Sequence, residues 1–253
     1  MAVQVTIEPR DTGRLEEAQQ LAVEAQAILA YGPVAEDELR IMLLKDAAEL
    51  WDHHSKRHGM TLGFQNIDLR TGSGNLSHRQ PLARSLGPHC ETILDVTGGF
   101  GHDAALLACM GWQVTCVERV PAMAAMLGLA LRESMRSVSH AEVFQDRLTV
   151  MHGEAKEVIQ AQSVPIDVIY MDPMFEPRQG SALPRKPAQL LHRLVDPDWD
   201  AGDLFQVAKE ACHRVVVKRP DDGPPLAPNP DLTFTTRQVR YDVYLQTTGG
   251  SIQ

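Results

Sequence analysis

DVTGGFGHD, Asp95 to Asp103, joins an apolar run at Thr92 to Val96 to an Ala- and Leu-rich segment that continues to Met110. An extended run that meets glycines and then takes up helical period reads as a strand turning into a helix. Gly99 and Gly101 would let that turn bring its backbone close to a ligand, and free N–H groups at a helix start favour electron-rich atoms. The next apolar run, QVTCVER, reaches Glu118 seventeen residues after Gly101. A carboxylate there can accept both hydroxyls of a ribose. Asp95, Thr97, Gly99, Gly101 and Glu118 are therefore candidates for holding a nucleotide cofactor. Gly99, Gly101 and Ala104 also spell G-x-G-x-x-A, which suits a dinucleotide, and a turn of this kind can be purely structural.

Outward from this turn, apolar runs at Thr92–Val96, Gln113–Glu118, Leu148–His152, Asp167–Met171 and Arg214–Lys218 alternate with stretches of helical period. That alternation predicts a parallel sheet. Two last strands, Leu232–Thr236 and Arg240–Gln246, are too close for a crossover helix and must pair antiparallel. The first part of the chain predicts a small α+β unit: a strand at Val3–Ile7, a helix from Arg14 to Ala30, strands at Leu39–Leu44, Ala48–Trp51 and Leu62–Leu69. The Gly- and Ser-rich Thr71–Asn75 serves as linker, which divides the chain into residues 1–75 and 76–253. Pro81–Leu86 reads as a short helix leading into the second part.

The third of the parallel runs ends in MHGEA, which sets Glu154 at the carboxyl edge of the sheet, where ligands collect in open α/β folds. Glu154 is placed either to bond an adenine amino group or simply to favour a helix start. The fourth runs into Asp172-Pro-Met-Phe175. An Asp-Pro corner followed by an aromatic residue resembles the D/N-P-P-Y/F motif of amino methyltransferases, with Met174 in place of the second proline. Asp172 and neighbouring carbonyls would accept hydrogens from a planar amine while Phe175 stacks on its ring, so positioning is the main catalytic resource. Asp172, Pro173, Met174 and Phe175 are the catalytic candidates; their structural alternative is a capped turn and a core aromatic.

The net charge of −9 argues at first against a nucleic-acid partner. Residues 1–50, however, hold ten acidic and four basic side chains, whereas Glu176–Arg193 holds Arg178, Arg185, Lys186 and Arg193 against one Glu. This local basicity beside the Asp-Pro corner, with Lys218 and Arg219 of the VVVKRP run, suits phosphate contact. The four cysteines never form C-x-x-C, and the group Asp52, His53, His54 and His58 lacks a partner motif, so no metal is expected. No long apolar window or leader-like start is present, which makes a cytoplasmic protein without membrane contact the expectation.

Taken together, DVTGGFGHDAALLA, VTCVER, YMDPMF with Gln179–Leu183, VVVKRPDDGPPLA, RYDVY and QPLARSLG resemble the ribosomal RNA small subunit methyltransferase J family over about Gln80 to Thr247. The resemblance implies an α/β fold with a class I methyltransferase (Rossmann-like) sheet: five parallel strands plus a C-terminal antiparallel hairpin. It further implies S-adenosylmethionine as cofactor, methyl transfer to N2 of a guanosine, and small-subunit ribosomal RNA or the 30S particle as partner. Carried over by position, it implies cofactor contacts at His102 and Asp103, at Glu118 and Arg119, at Glu154 and Ala155, and at Asp172. The chain departs from the family pattern at His102, at Glu154 and Ala155, and at Asn75 to Arg79, where the family carries a longer glycine- and arginine-rich stretch. Alternatives are transfer to another planar amine (adenine, cytosine or a protein glutamine) and a non-catalytic RNA-binding or assembly protein.

Overall fold

A computed structural model describes residues 4–70, 76–174, 190, 193–194 and 200–246. The first unit is a five-stranded sheet carrying one helix. β1 (Gln4–Pro9) leads to α1 (Leu15–Glu24), then β2 (Ile28–Leu29), β3 (Glu38–Leu43), β4 (Ala48–Trp51) and β5 (Met60–Leu62), in the order β2-β1-β3-β4-β5. Two expectations change here. The helix predicted to reach Ala30 stops at Glu24, because Gln26 takes a left-handed φ of 52°. Ile28 and Leu29 are thereby released to pair parallel with Thr6 and Ile7. The strand predicted over Leu62–Leu69 ends at Leu62, where Gly63 turns the chain and the Phe64 N–H is captured by Ser134 Oγ at 2.6 Å. The 75/76 boundary lies in residues outside those described.

The second unit opens with α2 (Pro81–Leu86) and continues through β6 (Thr92–Asp95), α3 (His102–Met110), β7 (Gln113–Glu118), α4 (Pro121–Ser134), α5 (Val138–Phe144) and β8 (Leu148–His152). There follow α6 (Ala155–Gln160), β9 (Val168–Met171), α7 (Ala201–Ala211), β10 (Arg214–Pro220), β11 (Leu232–Thr235) and β12 (Val239–Leu245). The strand order is β11-β12-β10-β9-β6-β7-β8, with β10-β9-β6-β7-β8 parallel and β12 antiparallel to both its neighbours. The predicted five parallel strands and C-terminal hairpin are present.

Both faces of this sheet are covered, which explains the unbroken apolar runs. Alternate residues point to opposite faces. Ile93, Val114, Cys116, Tyr170 and Val216 join the core on the α3, α4 and α5 side. Leu94, Val117, Ile169, Met171, Val215 and Val217 join the core beneath α6 and α7. The first face extends into the N-terminal sheet, since Ile7, Leu39, Leu50 and Phe64 belong to the same cluster as Met123 and Leu127 of α4. A buried ion pair, Arg14 Nη2 to Glu133 Oε1 at 2.5 Å, pins that junction. Among the described residues no helix is long and apolar enough to cross a membrane.

Chain direction along the sheet decides where a ligand goes. From β6 the chain moves outward through β7 to β8, then returns to the other side of β6 for β9 and β10. The crevice above the carboxyl ends of β6 and β9 is the switch point at which open α/β sheets bind ligands.

Candidate active site

At that switch point lies a cavity of about 680 Å³, its open mouth included, lined among others by Thr97, Gly99, Glu118, Glu154, Asp172 and Met174. The floor is built by the turn after β6. Gly99 has φ +52°, and its N–H donates to Glu118 Oε2 at 2.8 Å; Glu118 Oε1 accepts from the Val120 N–H, also at 2.8 Å. The buried carboxylate at the end of β7 thus holds the glycine turn and the start of α4 together. Gly98 packs directly on β7, because a Cβ there would stand 2.9 Å from the Val117 carbonyl oxygen.

The turn is linked to the Asp-Pro corner by backbone as well as side-chain bonds. The Val96 N–H donates to the Tyr170 carbonyl at 3.0 Å, and the Asp172 N–H donates to Thr97 Oγ1 at 2.6 Å. Glycine turn and Asp-Pro corner are therefore held face to face by these two bonds. From the next strand Lys218 Nζ donates to Asp172 Oδ2 at 2.9 Å and to Asp103 Oδ2 at 2.6 Å. Asp103 Oδ2 also accepts from the Tyr170 hydroxyl at 2.6 Å.

Electrostatics follow from this crowding. Burial alone would lower the Lys218 pKa, but the Asp172 and Asp103 carboxylates outweigh it and hold the ammonium above its ordinary value. Burial raises the Asp172 carboxyl while the Lys218 charge opposes the rise. The Asp172 side chain nevertheless keeps 42% of its surface open, so protein surrounds it without closing it off. Beneath it, Asp95 is 3% exposed, and burial pushes its carboxyl up to about 7 against the hydrogen bond from the Thr97 N–H.

Thr97, Gly99, Glu118, Arg119, Glu154, Ala155, Asp172, Pro173 and Met174 all line the cavity. Others do not. Gly101 has φ +70°, and the space a side chain would need is filled by Leu127 Cδ1 at 2.1 Å. It is required for packing rather than for a ligand's approach. His102 is exposed at the start of α3, edge-on to Phe64 at 6.0 Å, and Asp103 bonds Lys218 behind the corner. Lys218 and Arg219, expected to contact phosphate, are instead largely turned into the protein, the Lys218 side chain being 21% exposed. Lys218 is tied to carboxylates, and Arg219 is 4% exposed with Nε donating to the Pro224 carbonyl at 2.8 Å. Arg193 Nη2 donates to the Glu36 carbonyl at 2.8 Å. Phe175, Arg178, Arg185 and Lys186 lie outside the described residues.

Other parts of the site carried no local signal. Asp200, before α7, bonds Arg119 Nη1 at 3.1 Å and faces Lys156 Nζ at 3.8 Å, which closes one wall of the cavity together with Leu204. Tyr170, an apolar-run residue by sequence, turns out to bond Asp103.

Residues 26–246 match the family described as "Putative SAM-dependent methyltransferase". A ribosomal RNA small subunit methyltransferase J from Shewanella sediminis is 36% identical over 196 residues, covering 72% of this chain and 76% of the relative. Another, from Pectobacterium atrosepticum, is 36% identical over 186 residues, covering 68% and 75%. The chain belongs to this family. It is an S-adenosylmethionine-dependent methyltransferase. The crystal structure of a SAM-dependent methyltransferase from Neisseria gonorrhoeae superposes with a TM-score of 0.70 at 24% identity, over 97% of this chain and 98% of that one, and so shares its fold.

The cavity fits this cofactor by its donor set. The Glu118 carboxylate can accept ribose hydroxyls, and the apolar lining from Val96, Val117, Ala155 and Leu204 suits a flat purine. Carboxylate and hydroxyl oxygens at Asp172 and Thr97 suit a sulfonium's positive charge.

Proposed function

We propose that the chain transfers a methyl group to the exocyclic N2 of a guanosine in small-subunit ribosomal RNA. The observation that carries this reading is the fixed, half-open Asp172 carboxylate facing the cavity across from the glycine turn. When bound, S-adenosylmethionine supplies an electrophilic methyl group. Asp172, Pro173 and Met174, with Phe175 following them in sequence, are proposed to receive the base, and Asp95, Thr97, Gly99, Gly101, His102, Asp103, Glu118, Arg119, Glu154, Ala155 and Asp172 are proposed to build or support the cofactor pocket. Gly101 and Asp95 support it from beneath, through packing and the turn.

An exocyclic amine is a weak nucleophile because its lone pair is delocalised into the ring. A carboxylate that accepts its hydrogen bends the nitrogen toward pyramidal geometry and aims the lone pair at the methyl carbon. It also receives the proton the nitrogen loses once the new C–N bond forms. Guanine suits such a site: N1–H and N2–H lie side by side, a two-donor edge that matches two carboxylate oxygens, as Asp and Arg match in bidentate pairs. Adenine offers one donor beside one acceptor.

Because the base must leave its stack to reach the cavity, the substrate is extruded or single-stranded. Arg178, Arg185 and Lys186 are proposed to hold its phosphates, which makes binding salt-dependent. Naked RNA and the 30S particle are both candidate substrates. The N-terminal unit, residues 1–75 on this reading, braces α4 and the glycine turn. The test is methyl transfer from labelled cofactor to small-subunit RNA and particles, followed by mass analysis of nucleosides. N2-methylguanosine is the expected product; methyladenosine, methylcytidine, label in protein alone or no transfer would overturn the reading.

A further inference from the structure

We propose that Lys218 is the positioning residue that keeps Asp172 an ionised, fixed acceptor, and that Asp103 and Tyr170 hold Lys218 in place. The proposal rests on Asp172 receiving the hydrogens of the target amine. One ammonium bonds both carboxylates, Asp172 Oδ2 at 2.9 Å and Asp103 Oδ2 at 2.6 Å, from a stem on an interior strand. The Asp172 backbone is tied separately, through Thr97 Oγ1. Main chain and one carboxylate oxygen are thus both anchored, and the open part of the side chain faces the cavity.

Removing the ammonium would leave two carboxylates within reach of the same vacated point, and like charges so placed raise the proton affinity of the pair. Tyr170 donates its hydroxyl to Asp103 at 2.6 Å and stays bonded to it, whereas Asp172, whose carboxyl burial raises, loses the ammonium that opposed the rise. The proton goes to Asp172. A protonated Asp172 presents a donor where the amine needs an acceptor, and transfer stops. Among the described residues, the other charged or titratable groups that face the cluster are Asp95 at the end of β6, His102 on α3, Arg219 on β10 and Tyr241 on β12. Asp95 is buried and protonates near neutral pH, burial lowers the His102 pKa, and Tyr241 stays neutral. The Arg219 charge does act on Asp172, but its Nε is directed to the Pro224 carbonyl, so among the described residues the ammonium alone is shown bonded to both carboxylates.

The experiment compares wild type, Lys218→Met, Lys218→Arg and the double variant Lys218→Met/Asp103→Asn, each as the full chain. The pH dependence of kcat/KM on ribosomal RNA is measured from about pH 5 to about pH 9. In K218M the acid limb should move up by about one pH unit or more, with at least a roughly tenfold loss at neutral pH. Arginine should retain the wild-type limb, and D103N, by removing the competing charge, should move the K218M limb back down. Cofactor affinity by calorimetry should change less than about threefold, because Lys218 does not line the cavity. A K218M limb at the wild-type position, or no return in the double variant, would overturn the assignment. Carbon-13 titration of the Asp172 carboxyl separates this from the identity of the substrate. A higher Asp172 pKa in K218M than in wild type supports the role of Lys218 whatever RNA is methylated, and an unchanged one refutes it.

Discussion

Two of the clusters in which one cation is shared by two carboxylates, one around Arg40 and one around Lys218, differ in what is left open. In the N-terminal sheet Arg40, 2% exposed, donates to Glu8 Oε2 at 2.8 Å, to Glu38 Oε1 at 2.7 Å and to the Gly32 carbonyl at 2.7 Å. Glu38 also accepts from the Thr6 hydroxyl and, at 2.9 Å, from the Ala35 N–H. Both carboxylates are under 10% exposed and are taken up by bonds within the protein. At the catalytic edge Lys218 bonds Asp103 and Asp172, but Asp172 keeps 42% of its side-chain surface free. A closed cluster of this kind holds a fold together; an open one has acceptor capacity left for a substrate. The two share a charge pattern, and only access to the cavity divides them.

The contrast can be broken most directly at Arg40. Arg40→Ala strands two buried carboxylates and should cost about 3–5 kcal/mol of folding stability in urea titrations, with cofactor affinity of the folded fraction unchanged. A loss under about 1 kcal/mol would mean that the closed cluster is not structural. Asp95 sharpens the contrast because it is buried without a bonded cation. Its carboxyl rises from 3.8 to about 7 on folding, so the native state binds the proton more tightly than the unfolded chain. Its contribution therefore favours folding below about pH 4 and is lost as pH climbs to about 7. Asp95→Asn should flatten that slope by roughly 2–4 kcal/mol, read from denaturation midpoints across the pH range. An unaltered pH profile would show that Asp95 ionises freely in the fold.

Asp172→Ala tests the open cluster and should lower methyl transfer by about a hundredfold or more, near 2.7 kcal/mol of barrier, while the melting temperature moves little. Full activity would remove Asp172 from the chemistry. The smallest effect is expected at Glu118→Gln, which keeps the shape but removes the charge bonded to the Gly99 and Val120 N–H groups. Calorimetry should show cofactor affinity reduced by about tenfold, or 1.4 kcal/mol. Unchanged affinity would leave Glu118 as a turn anchor alone.

Much of the site could be read locally. The glycine turn, Glu118 at a strand end and the Asp-Pro corner are each announced by residues close together in the chain, because strand period, turn chemistry and acidic strand ends are properties of short segments. Misreadings arose where distant neighbours decided the outcome. Ile28 and Leu29 fit a helix by spacing yet complete an edge strand because β1 offers them unpaired backbone groups. Gly101 looked like a ligand's glycine until Leu127 filled the space above it. Lys218 and Arg219 read as phosphate contacts because a run of valines does not say which side chains will meet its charged end.

The sequence by itself determined the alternation of strands and helices, and with it the edge of the sheet at which a cofactor gathers. Only the tertiary structure decided that β10 lies beside β9 in the register pairing Val217 with Met171, which carries Lys218 to Asp172 across 46 residues of chain. The reason is that periodicity is written in each segment's own side chains. The partner of a charge depends instead on strand order and register, which the packing of the whole chain sets.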